Sequence, residues 1–310
     1  MIKKFFAIFK NRPLLIVGLI FIFWAILNLI WVGLNKTEPH LDMTRHLYNS
    51  LIYDQEISIR KPLRALVFWI DAYQYYPPFV YVLTKPFYIF GNSTFAAISS
   101  MMLWLAILLF GLYGVAKRIW NEKTGLIAVL ILAATPIFIG QSKEYMLDLP
   151  LAAWVILTIY LLLKTDHFQN QFMGLILGLV LGLGMLIKWT YPAFIIFPLI
   201  YILAQAWRAD WKDKRWSRGI TSIFVLITAA AIAFPWYYIH RLTIYKDFLI
   251  NGSALAKADP NHVVGFFSWI YYPIQGLNFY FFLPLGLLIV TGLILSITAK
   301  KYQNWLLGGR

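Results

Sequence analysis

Long runs without charge constrain this chain more than any other feature. The first extends from Leu14 to Gly33, about 20 residues, the length that crosses a hydrocarbon core as a helix. Further apolar runs fall at 95–116, 123–140, 150–163, 172–187, 191–206, 219–239 and 277–298. Lipid offers the backbone no hydrogen bonds, so only helices or a closed barrel can span it. A barrel needs short segments of alternating polarity, and none occur here. The expectation is an all-α polytopic membrane protein with about eight transmembrane helices. Composition agrees: of 310 residues, 61% are hydrophobic and 13% charged, against about 25% charged in soluble domains. With no cysteine, disulfides and thiolate metal sites are excluded.

Charge sets the orientation. Lys3, Lys4, Lys10 and Arg12 precede the first run. That run is too long for a signal-peptide core and lacks a small-residue cleavage site. It reads as a retained span whose basic flank keeps the N-terminus cytoplasmic. The segment 76–91 contains Pro77, Pro78, Lys85 and Pro86 and is expected as an interfacial or re-entrant helix. Cytoplasmic segments then hold 16 basic and 4 acidic residues, and external segments 11 basic and 9 acidic. The net charge of +14 thus orients the chain in a cell membrane, plasma or inner, and requires no nucleic-acid partner. The external segments are 34–94, 141–149 and 240–276, within one membrane domain over 1–310.

Most residues capable of chemistry lie in those segments. Glu38, His40, Asp42, Arg45 and His46 follow the first span. Asp42 suits a helix N-cap as well as a catalytic carboxylate. Lys143 and Glu144 precede Asp148, which opens the fourth span with Pro150 behind it. N-capping with Pro in the first turn again competes with function. A helix N-terminus attracts negative charge, and a carboxylate there suits a general base or a cation anchor. Tyr75-Tyr76-Pro77-Pro78 begins an aromatic segment ending near Lys85, which also fits an aromatic belt anchor. Lys188 stands in a tight turn between two apolar runs. It can snorkel or hold a lipid phosphate as a point charge. His240 and Arg241 close the seventh span behind Trp236-Tyr237-Tyr238, which suits an interface anchor or an anionic headgroup site. P-loop, GxSxG and HExxH motifs are absent. The histidines share no ligand spacing. Oxygen ligands from Asp42 and Asp148 leave room for a divalent metal, but no cofactor is required.

In order, these segments resemble the GT-C superfamily of membrane glycosyltransferases. They resemble its branch holding protein O-mannosyltransferases, the aminoarabinose transferase acting on lipid A and related bacterial sugar transferases. The best stretch is Tyr76–Leu163: a Pro-Pro entry, then FGNSTFAAISS, GVAKRIWNEKTGLIAVLILAATPIFIGQS and LDLPLAAWVILTIYLLL. GLILGLVLGLGMLIKWTYPAFII and FPWYY match later helices. The resemblance implies a GT-C-like N-terminal module lacking the family's C-terminal half. It aligns the first external acid with Asp42, as base or acceptor-orienting group, and the second with Asp148. Where relatives often carry Glu after the first Asp, Met43 stands here. Where His or Lys often precedes the Pro-Pro entry, Tyr76 stands here.

The expected function is transfer of a sugar, hexosyl or pentosyl, from a polyprenyl-phosphate donor to a hydroxyl of a lipid, glycan or protein acceptor. It would proceed on the external side with inversion. Asp42 and Asp148 are the catalytic candidates. Glu38, Arg45, His46, Tyr76, Lys85, Lys143, Glu144, Lys188, His240 and Arg241 are the candidates for contacting substrate. A non-catalytic truncated module and a transporter or lipid flippase are the rival readings. A transporter predicts internal repeats and midplane charges, whereas here the charges cluster at the membrane edge.

Overall fold

The computed structural model describes residues 12–57, 62–71, 76–91 and 93–246, together with 270–271, 273–276, 286–287 and 290–292. Among the described residues the ordered elements are helices, with no strand. In chain order they are α1 Pro13–Leu34, α2 Leu41–Glu56, α3 Pro62–Asp71, α4 Phe79–Thr84, the 3-10 helix Lys85–Phe90, α5 Thr94–Ile119 and α6 Glu122–Ala133. There follow α7 Pro136–Gln141, α8 Asp148–Lys164, α9 Gln171–Met185, α10 Tyr191–Asp213 and α11 Ser217–Tyr245. The chain divides into two compact units, one of residues 1–131 and 141–244, the other of 132–140 and 245–310.

Helices α1, α5, α10 and α11 are long and apolar enough to cross a bilayer. The apolar runs at 150–163 and 172–187 form α8 and α9, of 17 and 15 residues, short of the roughly 20 needed for a straight crossing. The expected single span over 123–140 is instead two helices, α6 and α7. Pro136 at the break has no N–H to donate and disfavours α geometry in Thr135. The run 277–298 lies largely outside the described residues. The segment from Phe79 to Phe90 is helical but too short to span. Its Phe79, Val80, Tyr81 and Thr84 are buried, so it is packed within the first unit.

Helix starts follow local chemistry. Pro13 and Pro192 occupy first turns, where a missing N–H is harmless. Ser93 accepts from Ala96 N–H at 3.2 Å and Asn170 from Met173 N–H at 3.0 Å, each satisfying an orphan donor. α5 is the central helix: 61% of its apolar window is buried, against 11% for α1. Its Trp104 lies edge-on to Trp154 of α8 at 5.7 Å, and Phe79 contacts both rings. Such aromatic pairs contribute about 0.5–1.5 kcal/mol each beyond area burial.

Helix directions follow from the contacts. A Cβ on Gly18 would sit 3.9 Å from Phe110, and one on Gly33 3.9 Å from Phe95, so α1 and α5 are antiparallel. Gly111 abuts Ile156 and Gly114 abuts Tyr160, so α5 and α8 are parallel. Trp154 Nε1 donates to Val180 O at 2.7 Å, locking α8 to α9. Gly174, Gly178 and Gly182 lie against Thr221, Thr228 and Ile232, a small-residue seam that lets α9 and α11 approach in parallel. The end of α1, the start of α8, the end of α9 and the stretch of α11 around Tyr237 therefore meet at one end of the first unit.

Candidate functional site

That end gathers four short segments: the first turns of α2, Tyr76 ahead of the Pro-Pro entry, the start of α8, and the turn from α9 into α10. Backbone bonds place them. Phe79 N–H donates to Leu186 O at 3.0 Å, which sets the Pro-Pro entry against the turn carrying Lys188. Tyr237 of α11 donates its hydroxyl to Met185 O at 2.8 Å. Asn28 of α1 donates to Ser142 O at 3.3 Å, holding the loop ahead of Asp148.

Both carboxylates escape the capping roles their positions suggest. His40, not Asp42, caps α2, its Nδ1 accepting from Met43 N–H at 3.4 Å. Asp42 lies within the first turn and is exposed. It makes no hydrogen bond or ion pair to a described residue. Met43 is buried, so the position after Asp42 faces the core. Asp148 is the first residue of α8 behind an N-cap, Leu147, that makes no side-chain bond. Its Oδ1 instead receives Lys188 Nζ at 2.8 Å. Lys188 also lies 5.9 Å from the centroid of the Tyr76 ring, and the Tyr76 ring lies 5.3 Å from that of His46.

His46 sits at the centre of this group. It is buried, with Nδ1 2.8 Å from the Tyr81 hydroxyl. Burial pushes its pKa down to about 4, assisted by the positive charge of Lys188 and, more weakly, of Arg45; Asp42 and Asp148 oppose the shift. At neutral pH the imidazole is therefore neutral, one nitrogen engaged with Tyr81. The charges of Asp42, Arg45, Asp148 and Lys188 thus all act on this ring. Glu144 joins the margin of the group through His40 Nε2 at 3.7 Å.

Other sequence candidates lie apart or are engaged elsewhere. Lys85 donates to Asp54 Oδ1 at 2.7 Å, near the far end of α2. Twelve residues separate Asp54 from Asp42, about 18 Å along a helix. Lys143 stands 5.2 Å over the Trp31 ring of α1. Arg241 covers the Tyr238 ring at 4.4 Å and donates to Tyr238 O. His240 is buried, stacked on Trp236 at 4.4 Å with its Nδ1 2.8 Å from Trp236 O. Glu38 is exposed and makes no hydrogen bond or ion pair to a described residue.

The support beneath the site includes residues that sequence reasoning passed over. Tyr81 holds His46 and also bonds Asn49. Behind it runs a buried hydroxyl chain: Ser50 to Tyr88 at 2.5 Å, Thr84 to Tyr145 at 2.7 Å and Thr84 to Ser100 at 3.1 Å. This chain ties α2, α4, the 3-10 helix, α5 and the loop at Tyr145 together. A buried polar network is rigid only when its members find partners, and these do. The spacing of Met43, His46, Asn49, Ser50 and Tyr53, all buried on one face of α2, is the signal that could have revealed it.

Among the described residues no group of three or more His, Asp or Glu is placed to hold a metal ion, and Asp148 already carries a cation, Lys188.

Residues 76–237, just over half of the chain, match the model of a protein family described as dolichyl-phosphate-mannose-protein mannosyltransferase. Comparison with curated proteins and with solved structures gave no match.

Proposed function

As the chain belongs to the dolichyl-phosphate-mannose-protein mannosyltransferase family, and so is a GT-C-type membrane glycosyltransferase, we propose that it transfers a sugar from a polyprenyl-phosphate donor to an acceptor hydroxyl at the end of the first unit where Asp42, His46, Tyr76, Asp148 and Lys188 meet. The family description makes mannose and a protein hydroxyl the first donor and acceptor to test. That end faces outward from the cell membrane and the N-terminus lies in the cytoplasm, in keeping with the excess of basic residues in the opposite loops.

One observation carries the assignment of roles: Asp148 is neutralised by Lys188 at 2.8 Å, whereas Asp42 remains an exposed carboxylate beside the same cluster. Asp42 is therefore the base. It takes the proton of the acceptor hydroxyl as that oxygen attacks the anomeric carbon. The bond between that carbon and the phosphate oxygen breaks, and the electron pair leaves with the polyprenyl phosphate. Attack opposite the phosphate inverts the anomeric centre. The proton then passes from Asp42 to solvent. Lys188, 5.9 Å from the Tyr76 ring centroid, binds the donor phosphate as a point charge. Arg45 adds positive potential, and neutral His46 offers a hydrogen bond without adding charge.

Lipid-phosphate donors have a built-in leaving group, so neither a nucleotide site nor a P-loop is needed. The deciding experiment is transfer from a panel of polyprenyl-phosphate sugars to serine- and threonine-containing peptides, comparing wild type with Asp42→Asn. Turnover lost in the variant while donor binding persists supports the reading. Equal turnover in both removes Asp42 from the reaction.

A further inference from the structure

At the other end of α10, 22 residues and about 33 Å from Tyr191, a second charged surface is built for a different purpose. The segment 207–218 carries five basic residues, Arg208, Lys212, Lys214, Arg215 and Arg218, and two acids, Asp210 and Asp213. Arg218 takes both acids: its Nε lies 3.9 Å from Asp210 Oδ1 and its Nη2 3.6 Å from Asp213 Oδ2. Asp210 is buried and also accepts from Gly219 N–H at 2.8 Å. Its backbone oxygen receives Arg215 N–H at 2.9 Å. The turn from α10 into α11 is thereby locked, with Lys214 in the left-handed conformation at φ 51°.

The consequence is a sorting of charge. The side chains of Arg208, Lys212, Lys214 and Arg215 make no hydrogen bond or ion pair to a described residue, and all four residues are exposed. Beside them Trp207, Trp211 and Trp216 are exposed by 55%, 77% and 65%. Trp207 and Trp211 form one stripe of α10 at helical spacing, and Arg208 and Lys212 the next. Trp207 anchors through Nε1 to Ser222 Oγ at 3.1 Å, and Trp211 meets Trp216 edge-on at 6.5 Å. Exposed indoles beside unpaired cations, at the foot of a spanning helix, complement an interface of aromatic-accessible acyl chains under anionic phosphates.

We propose that the foot of α10 and its turn into α11 form a docking surface for anionic lipid headgroups, independent of the sugar-transfer site. Arg208 and Arg215 take phosphate oxygens through their forked guanidinium groups, Lys212 and Lys214 add point charge, and the three tryptophans seat in the acyl-headgroup boundary.

The test uses the full chain purified from vesicles of equal phosphatidylglycerol and phosphatidylcholine, with both lipids counted in the eluted protein. The expected result is enrichment of phosphatidylglycerol by about tenfold or more, a modest share of what four surface cations supply, falling as salt is raised. In the variant R208Q/K212Q/K214Q/R215Q enrichment falls toward parity, while the charge-preserving R208K/K212R/K214R/R215K keeps most of it. Either no enrichment in wild type, or equal enrichment in the neutral variant, overturns the proposal. If the neutral variant does not fold, the salt series on wild type decides: enrichment indifferent to salt also overturns it. None of these outcomes bears on sugar transfer.

Discussion

Lys188 donates to Asp148 across 2.8 Å, joining the turn after α9 to the first residue of α8, forty positions earlier in the chain. The pair divides the two candidate carboxylates into one already neutralised and one available. It also brings an ammonium to within 5.9 Å of the Tyr76 ring centroid.

Asp42→Asn removes the proposed base while keeping size and polarity. General base catalysis contributes about 10²–10⁴-fold, so kcat should fall at least about 100-fold. Donor binding, followed by retention of a labelled polyprenyl-phosphate sugar, should stay within about twofold. A parallel loss of binding would move Asp42 from proton transfer to donor recognition.

Lys188→Gln and Lys85→Gln should separate phosphate binding from packing. Loss of a charge-assisted phosphate contact of about 1.5–3 kcal/mol weakens donor affinity roughly 10- to 100-fold for the Lys188 variant. Lys85 is bound to Asp54, and breaking that half-buried pair should lower thermal stability with donor affinity within about twofold. Comparing donor titrations and melting curves of the two proteins checks the division; the opposite pattern would place the phosphate near Lys85.

His46 makes stability depend on pH. Its folded pKa of about 4 lies below its ordinary 6.5, so between these values the unfolded chain binds more protons. The stability is present above pH 6.5 and is lost as pH falls toward 4, with a slope of about 1.4 kcal/mol per pH unit. The melting temperature of wild type should fall relative to that of His46→Gln between pH 7 and pH 5. A difference that does not vary with pH would show that the imidazole is not held neutral by burial.

Gly182 sits where the α9–α11 seam is tightest. An added Cβ would come 2.7 Å from Ile232 Cβ and 2.9 Å from Ala229 O, the latter a backbone atom that cannot swing aside. Gly182→Ala should destabilise by about 1–3 kcal/mol through overpacking. Gly140→Ala, with nothing within 4 Å of its added Cβ, should be neutral or slightly stabilising. Differential scanning of both variants measures this.

Much of the helical order was legible locally. Apolar run length marked α1, α5, α10 and α11, because a span must satisfy its own backbone in lipid. The break between α6 and α7 was also written locally, in Pro136, but was masked by the apolar residues on either side. The inward face of α2 was harder to read. Its buried positions include His46, Asn49 and Ser50, polar side chains whose burial makes sense only once Tyr81 and Tyr88 are placed opposite them. The match to the family begins at residue 76, after Asp42 and His46, so even that comparison leaves their geometry to the tertiary structure.

By itself the sequence determined an all-helical membrane chain of a sugar-transferring family, with its acids and cations concentrated near helix ends. Hydrophobic length and charge bias are local quantities that single segments carry. Which charges meet was decided only by tertiary structure. Asp42 and Asp148 have the same local look, each at a helix start. Asp148 is paired because the parallel packing of α5 with α8, and the antiparallel return of α9, deliver Lys188 to it. Asp42 stays open because His40 takes the cap and Lys85 is held by Asp54 far along α2. Pairing of charges depends on distances of a few ångströms between segments remote in the chain, which helix packing sets and composition does not.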